Sequence, residues 1–216
     1  MKHRISSGPR ATQFTTALVA ASAAWAMAAA PRAQAEEVAV PTVPASLQVP
    51  AGNVPYLVGH AAGTQNYACV PTDAGIVWQL YTPQATLFSD ADAQVTTHFF
   101  SPNPLAPAEF LPTWQHSVDT SAVWVKAAAA PYTGADFVEP GALAWLLLKA
   151  VTTAAGPTGG ETLTGTTYIH RVNTSGGLAP ASGCSKPKDL GKKAFVPYTA
   201  DYYFYMDAAQ YAEAQR

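Results

Sequence analysis

Seven short runs of β-branched and aromatic residues, each bounded by turn chemistry, constrain the fold of this chain more than any other feature. They are Thr64 to Val70, Ile76 to Thr82, Gln94 to Phe100, Ser121 to Ala127, Leu143 to Val151, Leu163 to Val172 and Ala194 to Tyr205. The punctuation between them is Pro71 to Gly75, Ser89-Asp90-Ala91-Asp92, Pro102 to Pro112, Gly156 to Gly160 and Gly176-Gly177, where Gly, Pro and Asp supply turn conformations. No long 3.6-residue periodicity interrupts them, and only residues 207–216 read as weakly helical. The expectation is all-β: one domain of about seven to eight strands, either a β-sandwich or a closed β-barrel. The apolar run Leu143 to Leu148 is short enough to favour strand over buried helix.

The N-terminal 35 residues have the composition of a signal peptide. Lys2, Arg4 and Arg10 precede an uncharged alanine-rich run, Thr15 to Ala30, and Ala33-Gln34-Ala35 offers a small-residue cleavage site. That run is 16 residues long, short of the ~20 a membrane helix needs. Residues 36–53, with Pro41, Pro44 and Pro50, read as an extended proline-rich linker. Residues 54–207 then form the β domain and 208–216 a C-terminal tail. The protein is expected to be exported, periplasmic or extracellular, with no integral membrane segment in the mature chain.

Four of the 12 basic residues lie in the first 35 and none of the 14 acidic ones do, so the mature chain carries a formal charge of −6. Nucleic-acid binding is excluded as an expectation, because phosphate neutralisation requires a basic footprint. Cys69 and Cys184 are the only cysteines. In an oxidising compartment such a pair is most simply a disulfide, the alternative being two buried thiols.

The order of several motifs carries a family resemblance. GTQNYAC (Gly63 to Cys69) leads to WQLYTPQATLF (Trp78 to Phe88), HFF (His98 to Phe100), PTWQHS (Pro112 to Ser117) and WLLLKA (Trp145 to Ala150). YIHRVNTSGGLAPASGC (Tyr168 to Cys184) and VPYTADYYFY (Val196 to Tyr205) follow. Together they resemble the uncharacterised domain-of-unknown-function 3455 family of bacterial and fungal exported proteins. The resemblance implies no activity. A dehydrogenase is not supported, since no GxGxxG follows a strand and opens a helix.

Catalytic chemistry finds little footing. His60, His98, His116 and His170 follow the signal segment, but no HxH, HExxH or HxxxH spacing is present, so no metal or other cofactor is expected. His98 and His116, flanking the proline-rich stretch, are the starting point for any metal site, and with Asp119 for a secreted hydrolase or metal-dependent enzyme. Asp90 and Asp92 fit a turn better than a calcium loop, and no GxSxG elbow exists.

Binding has better candidates. Trp114 in a loop with His116 nearby, and Arg171 and Asn173 at a strand end, combine flat aromatic area with a planar fork of donors. Strand alternation puts Ile169, Arg171 and Asn173 on one face, and Tyr168, His170 and Val172 on the other. An internal Arg171–Asp201 ion pair is the plain alternative. The functional expectation is non-catalytic binding of a small or glycan-like ligand, or of a partner surface; a structural cell-envelope role is a further alternative.

Overall fold

The computed structural model describes residues 38–216. The signal-peptide reading of residues 1–35 lies outside the described residues, as do the first two residues of the expected linker.

Eight antiparallel strands form a closed barrel in sequence order. They are β1 (Asn53–Thr72), β2 (Gly75–Phe88), β3 (Gln94–Asn103), β4 (Ala106–His116), β5 (Ala122–Ala127), β6 (Leu146–Ala154), β7 (Thr166–Gly176) and β8 (Lys193–Asp207). Closure comes from β1 pairing with β8 along its length, from Asn53 opposite Asp207 to Ala68 opposite Lys193. Every strand therefore has a hydrogen-bonded neighbour on both sides over at least part of its length. Register shifts interrupt six of the eight strand pairs, for example at Asn66/Tyr67 and between Val172 and Ser175. Such bulges add local twist, which lets a sheet curl onto itself. Of the two architectures the strand pattern left open, the barrel is the one formed.

Side-chain alternation divides β8 as its sequence predicts. Tyr198, Ala200, Tyr202 and Phe204 point into the barrel, while Tyr203 and Tyr205 belong to a separate outer cluster. One end of the interior is packed solid by Leu87, Val123, Leu163, Ile169 and Phe204, all fully buried. Leu163 reaches in from the β6–β7 connection, where its N–H donates to Ser121 Oγ at 3.0 Å.

The structure corrects two expectations. Pro102 to Pro112 was expected as turn, yet Ala106 to His116 is strand β4, with Pro112 opposite Phe100. Proline is tolerated in a strand where its missing N–H is not called for by a neighbour. The proline-rich segment expected as a linker is also packed over its described part. Val43 and Leu47 are buried against Trp145, Leu147, Val172 and Tyr203 on the outer wall. His170 anchors them: its Nε2–H donates to Leu47 O at 2.7 Å, leaving Nδ1 to accept from the Tyr205 hydroxyl at 2.9 Å. Burial lowers the pKa of His170 and keeps it neutral in that role. Asp207 caps the closing helix α1 (Ala208–Ala214), its carboxylate accepting from the N–H groups of Ala209 and Gln210.

Cys69 and Cys184 form a disulfide with Cα atoms 5.5 Å apart across a separation of 115 residues. It fastens the β7–β8 connection, residues 177–192, to β1. Cys69 N–H also donates to Lys192 O, Gly191 N–H to Cys69 O, and Trp78 Nε1–H to Ser182 O, each at 2.9 Å. Gly177 starts this strap in the left-handed region at φ 87°, and a Cβ there would lie 2.7 Å from Leu143 Cδ1. Only glycine meets both demands.

Candidate ligand-binding site

The end of the barrel opposite the packed one is hollow. A cavity of about 400 Å³ lies there, walled by strand residues such as Leu80, Phe100, Leu146 and Leu148. The connections flanking β6 and β7 bring Pro131, Leu143, Ala144 and Leu178 to it. These two loops are joined, because Leu143 N–H donates to Gly176 O at 3.0 Å and Ala142 bridges to Gly177. Volumes of about 300–1,000 Å³ with apolar walls and a few polar groups are typical of small-molecule sites.

The polar groups come from five strands. Arg171 enters from β7, its Nε–H and Nη2–H donating to Ala144 O at 3.2 and 2.9 Å. Among the described residues no carboxylate pairs with it, and the neutral Tyr202 hydroxyl lies beside it. Gln65 comes from β1, His98 from β3, Trp114 from β4 and Tyr202 from β8. None of the residues lining the cavity is acidic.

His98 is held in one state by its surroundings. Its ring stacks on Trp114, with centroids 3.8 Å apart and planes within 9°, and Nδ1–H donates to Thr113 O at 2.9 Å. Burial pushes its pKa down to about 3, against the Thr113 hydrogen bond and with help from the nearby Arg171 charge. A neutral ring that donates from Nδ1 leaves Nε2 as an acceptor. Trp114 is 1% exposed, and its Nε1–H has no partner among the described residues. Burial likewise raises the Tyr202 pKa, opposed by the Arg171 charge, so the hydroxyl is neutral.

A second opening lies in the wall. β2 and β3 pair only from Ala85 opposite His98 to Phe88 opposite Gln94. Beyond Ala85 the strands diverge, linked by Phe100 N–H donating to Thr82 Oγ1 at 3.1 Å. The cleft between them shares Pro83 and His98 with the interior cavity.

Of the four residues expected to bind, Trp114 and Arg171 come together in this cavity and two do not. Trp114 is an interior wall residue on a strand, not a loop platform. His116 ends β4, where its Nδ1 accepts from Asp119 N–H at 3.2 Å. Asn173 turns to the opposite face from Arg171, because the irregularity between Val172 and Ser175 places it at φ 50°. Its Nδ2–H then donates to Asp201 Oδ2 at 2.8 Å, and the other Asp201 oxygen bonds His60 Nδ1 at 2.7 Å. Asp201 is thereby engaged outside the barrel, which accounts for the missing Arg171–Asp201 pair.

Of the residues of the enzymatic alternative, His116 and Asp119 lie together, Nδ1 3.1 Å from Oδ1, while His98 lines the barrel interior. Among the described residues no three His, Cys, Asp or Glu side chains come together as a metal-ligand group. The Asp119 carboxylate accepts from Ser121 N–H, Ser121 Oγ–H and Thr162 N–H at 2.9, 2.7 and 2.9 Å. Burial acts to raise its pKa, but the hydrogen bonds from Thr162 and Ser121 outweigh it and hold the group well below the usual carboxylate range. This is a clamp between two loops. The Asp90–Asp92 stretch is a turn, with Asp92 N–H donating to Ser89 O and Asp90 bonded to His60 Nε2.

Residues 50–206 match the family model described as Protein of unknown function (DUF3455). The chain belongs to the DUF3455 family. No curated protein and no solved structure matches it. For this DUF3455 barrel, sequence reasoning missed Gln65 and Tyr202 as residues of this cavity and weighed His98 only for a metal site or a hydrolase. The alternation along β8 does set Tyr202 on the face of Phe204 and was the available signal. Gln65 had none, since the shift at Asn66/Tyr67 breaks parity in β1.

Proposed function

We propose that this DUF3455 protein is an exported, non-catalytic receptor that holds a small, mainly apolar ligand inside its barrel. The observation that carries the reading is the apolar cavity of about 400 Å³, lined by an Arg171 that no described carboxylate neutralises. A surface glycan platform has less to support it. Trp114 and Trp145 are buried, while Trp78 and Trp124 are half-buried with their indole N–H groups bonded to Ser182 O and Ser101 Oγ.

Binding is tested with the neutral fluorophore N-phenyl-1-naphthylamine. The oxidised protein should bind it saturably at one site, with a blue-shifted emission. Leu146→Trp, which puts an indole into the cavity, should abolish that binding while leaving the thermal midpoint near the parent value. Absence of saturable binding, or binding that survives Leu146→Trp unchanged, would overturn the reading.

Export is supported by the basic and alanine-rich start of the sequence and by the disulfide, which persists in oxidising compartments. No helix of the described residues is long and apolar enough to cross a membrane. N-terminal sequencing of protein recovered from outside the cytoplasm should begin at Glu36; a chain still starting at Met1 there contradicts processing at Ala35.

A further inference from the structure

We infer that the cavity selects a monoanionic carboxylate with an aromatic or aliphatic body, the carboxylate meeting the Arg171 guanidinium. This inference rests on the receptor reading and names the chemistry of its ligand.

A guanidinium carries five N–H donors and a full charge. Here two of its nitrogens donate to one neutral carbonyl, Ala144 O, and no described side chain neutralises it. Cations inside proteins are ordinarily matched by carboxylates, because an unpaired charge in a low-dielectric space is costly. The carboxylates nearest in sequence to the cavity strands are already engaged elsewhere: Asp119 by Ser121 and Thr162, Asp201 by His60 and Asn173, Glu109 by Lys126 and Asn103. The missing acceptor therefore has to arrive with the ligand.

The rest of the wall narrows the class. Trp114, which lines the same cavity, carries an indole N–H without a partner among the described residues. A phosphate monoester carries nearly two charges, and one guanidinium with no lysine beside it under-compensates them. A sugar presents hydroxyls over its whole perimeter, which the Leu80, Leu146 and Leu148 walls leave unsatisfied. A carboxylate on an apolar body meets both halves of the cavity, since an Arg fork donates two parallel N–H bonds to its oxygens.

The test displaces N-phenyl-1-naphthylamine from the oxidised protein with 2-naphthoate, its neutral isostere 2-naphthamide, and 2-naphthyl phosphate. 2-Naphthoate should bind about 30-fold more tightly than 2-naphthamide, the size expected for charge-assisted hydrogen bonds. It should also outcompete 2-naphthyl phosphate. Arg171→Gln should erase the carboxylate preference, and Arg171→Lys should keep part of it. Equal affinities for naphthoate and naphthamide, tightest binding of the phosphate, or an undiminished preference in Arg171→Gln each overturn the inference. In those cases retained fluorophore binding leaves the receptor reading standing, whereas loss of fluorophore binding by the parent protein removes both. If Arg171→Gln does not fold, the parent comparison and Arg171→Lys still decide.

Discussion

Replacing Cys184 by Ser, or reducing the Cys69–Cys184 bond, should lower the unfolding free energy by about 4–5 kcal/mol, the chain-entropy value for a loop of this length. The bond spans 115 residues and encloses β2 through β7, so the denatured chain is constrained over most of the barrel. A local effect accompanies the global one. The strap of residues 177–192 brings Leu178 to the cavity and accepts hydrogen bonds from Trp78 and Tyr67, at Ser182 O and Gly177 O. Without the covalent tie, opening of the strap should become easier than global unfolding, as loops with few buried contacts open first. Denaturant titration of the oxidised protein and of Cys69→Ser/Cys184→Ser checks the first statement. Hydrogen exchange at Gly177 to Lys192 checks the second. A difference below about 1 kcal/mol would mean that the hydrogen bonds around Cys69 hold the strap alone, contrary to the loop-entropy argument.

Strand identity was legible where alternation is uninterrupted, as in β8, whose inward Tyr202 and Phe204 and outward Tyr203 and Tyr205 follow from period two. Barrel closure was not. It depends on β1 meeting β8 across nearly the whole domain, and nothing local distinguishes that pairing from two packed sheets. One misreading propagated into the site. Prolines made residues 102–112 look like a loop, so Trp114 became a loop residue and His116 a residue flanking that loop when both belong to β4. Trp114 was thus anticipated as a binding residue but on the surface, where the fold puts it in the interior. Arg171 was legible as a planar fork of donors on a strand, with an Asp201 ion pair left open. Its separation from Asn173 was hidden by a backbone irregularity that sequence alternation does not encode. The described part of the proline-rich segment illustrates the same limit. Its composition predicts extended chain, and extended chain still packs when Val43 and Leu47 find an apolar wall.

His98→Gln should flatten the acid side of the stability profile. The parent ring is 4% exposed, stacked on Trp114 and held neutral, with its pKa pushed down to about 3 by burial. An unfolded histidine titrates near 6.5, so between about 6.5 and 3 the unfolded chain takes up a proton that the folded chain refuses. Folded-state pKa below unfolded-state pKa means that this contribution is complete above pH 6.5 and is lost as pH falls. The slope is about 1.4 kcal/mol per pH unit, giving a loss of about 3 kcal/mol between pH 7 and pH 4 from this residue alone. His170, also lowered by burial, adds to the loss with the same sign. His60 works the other way: the Asp201 hydrogen bond raises its pKa, so its contribution is present in acid and fades as pH rises through its folded value. That offset is small, because the His60 side chain is 41% exposed. The depressed carboxyls of Asp119 and Asp189 contribute losses only as pH falls below their unfolded values near 4. The window between pH 6.5 and 4.5 therefore isolates the histidines. Denaturant unfolding of parent and His98→Gln at fixed ionic strength should give stability curves that converge through this window, the parent losing more. Parallel curves would mean that the interior ring protonates without penalty and that the space beside Arg171 is wet enough to hold two positive charges, which would also remove the low-dielectric premise of carboxylate selection.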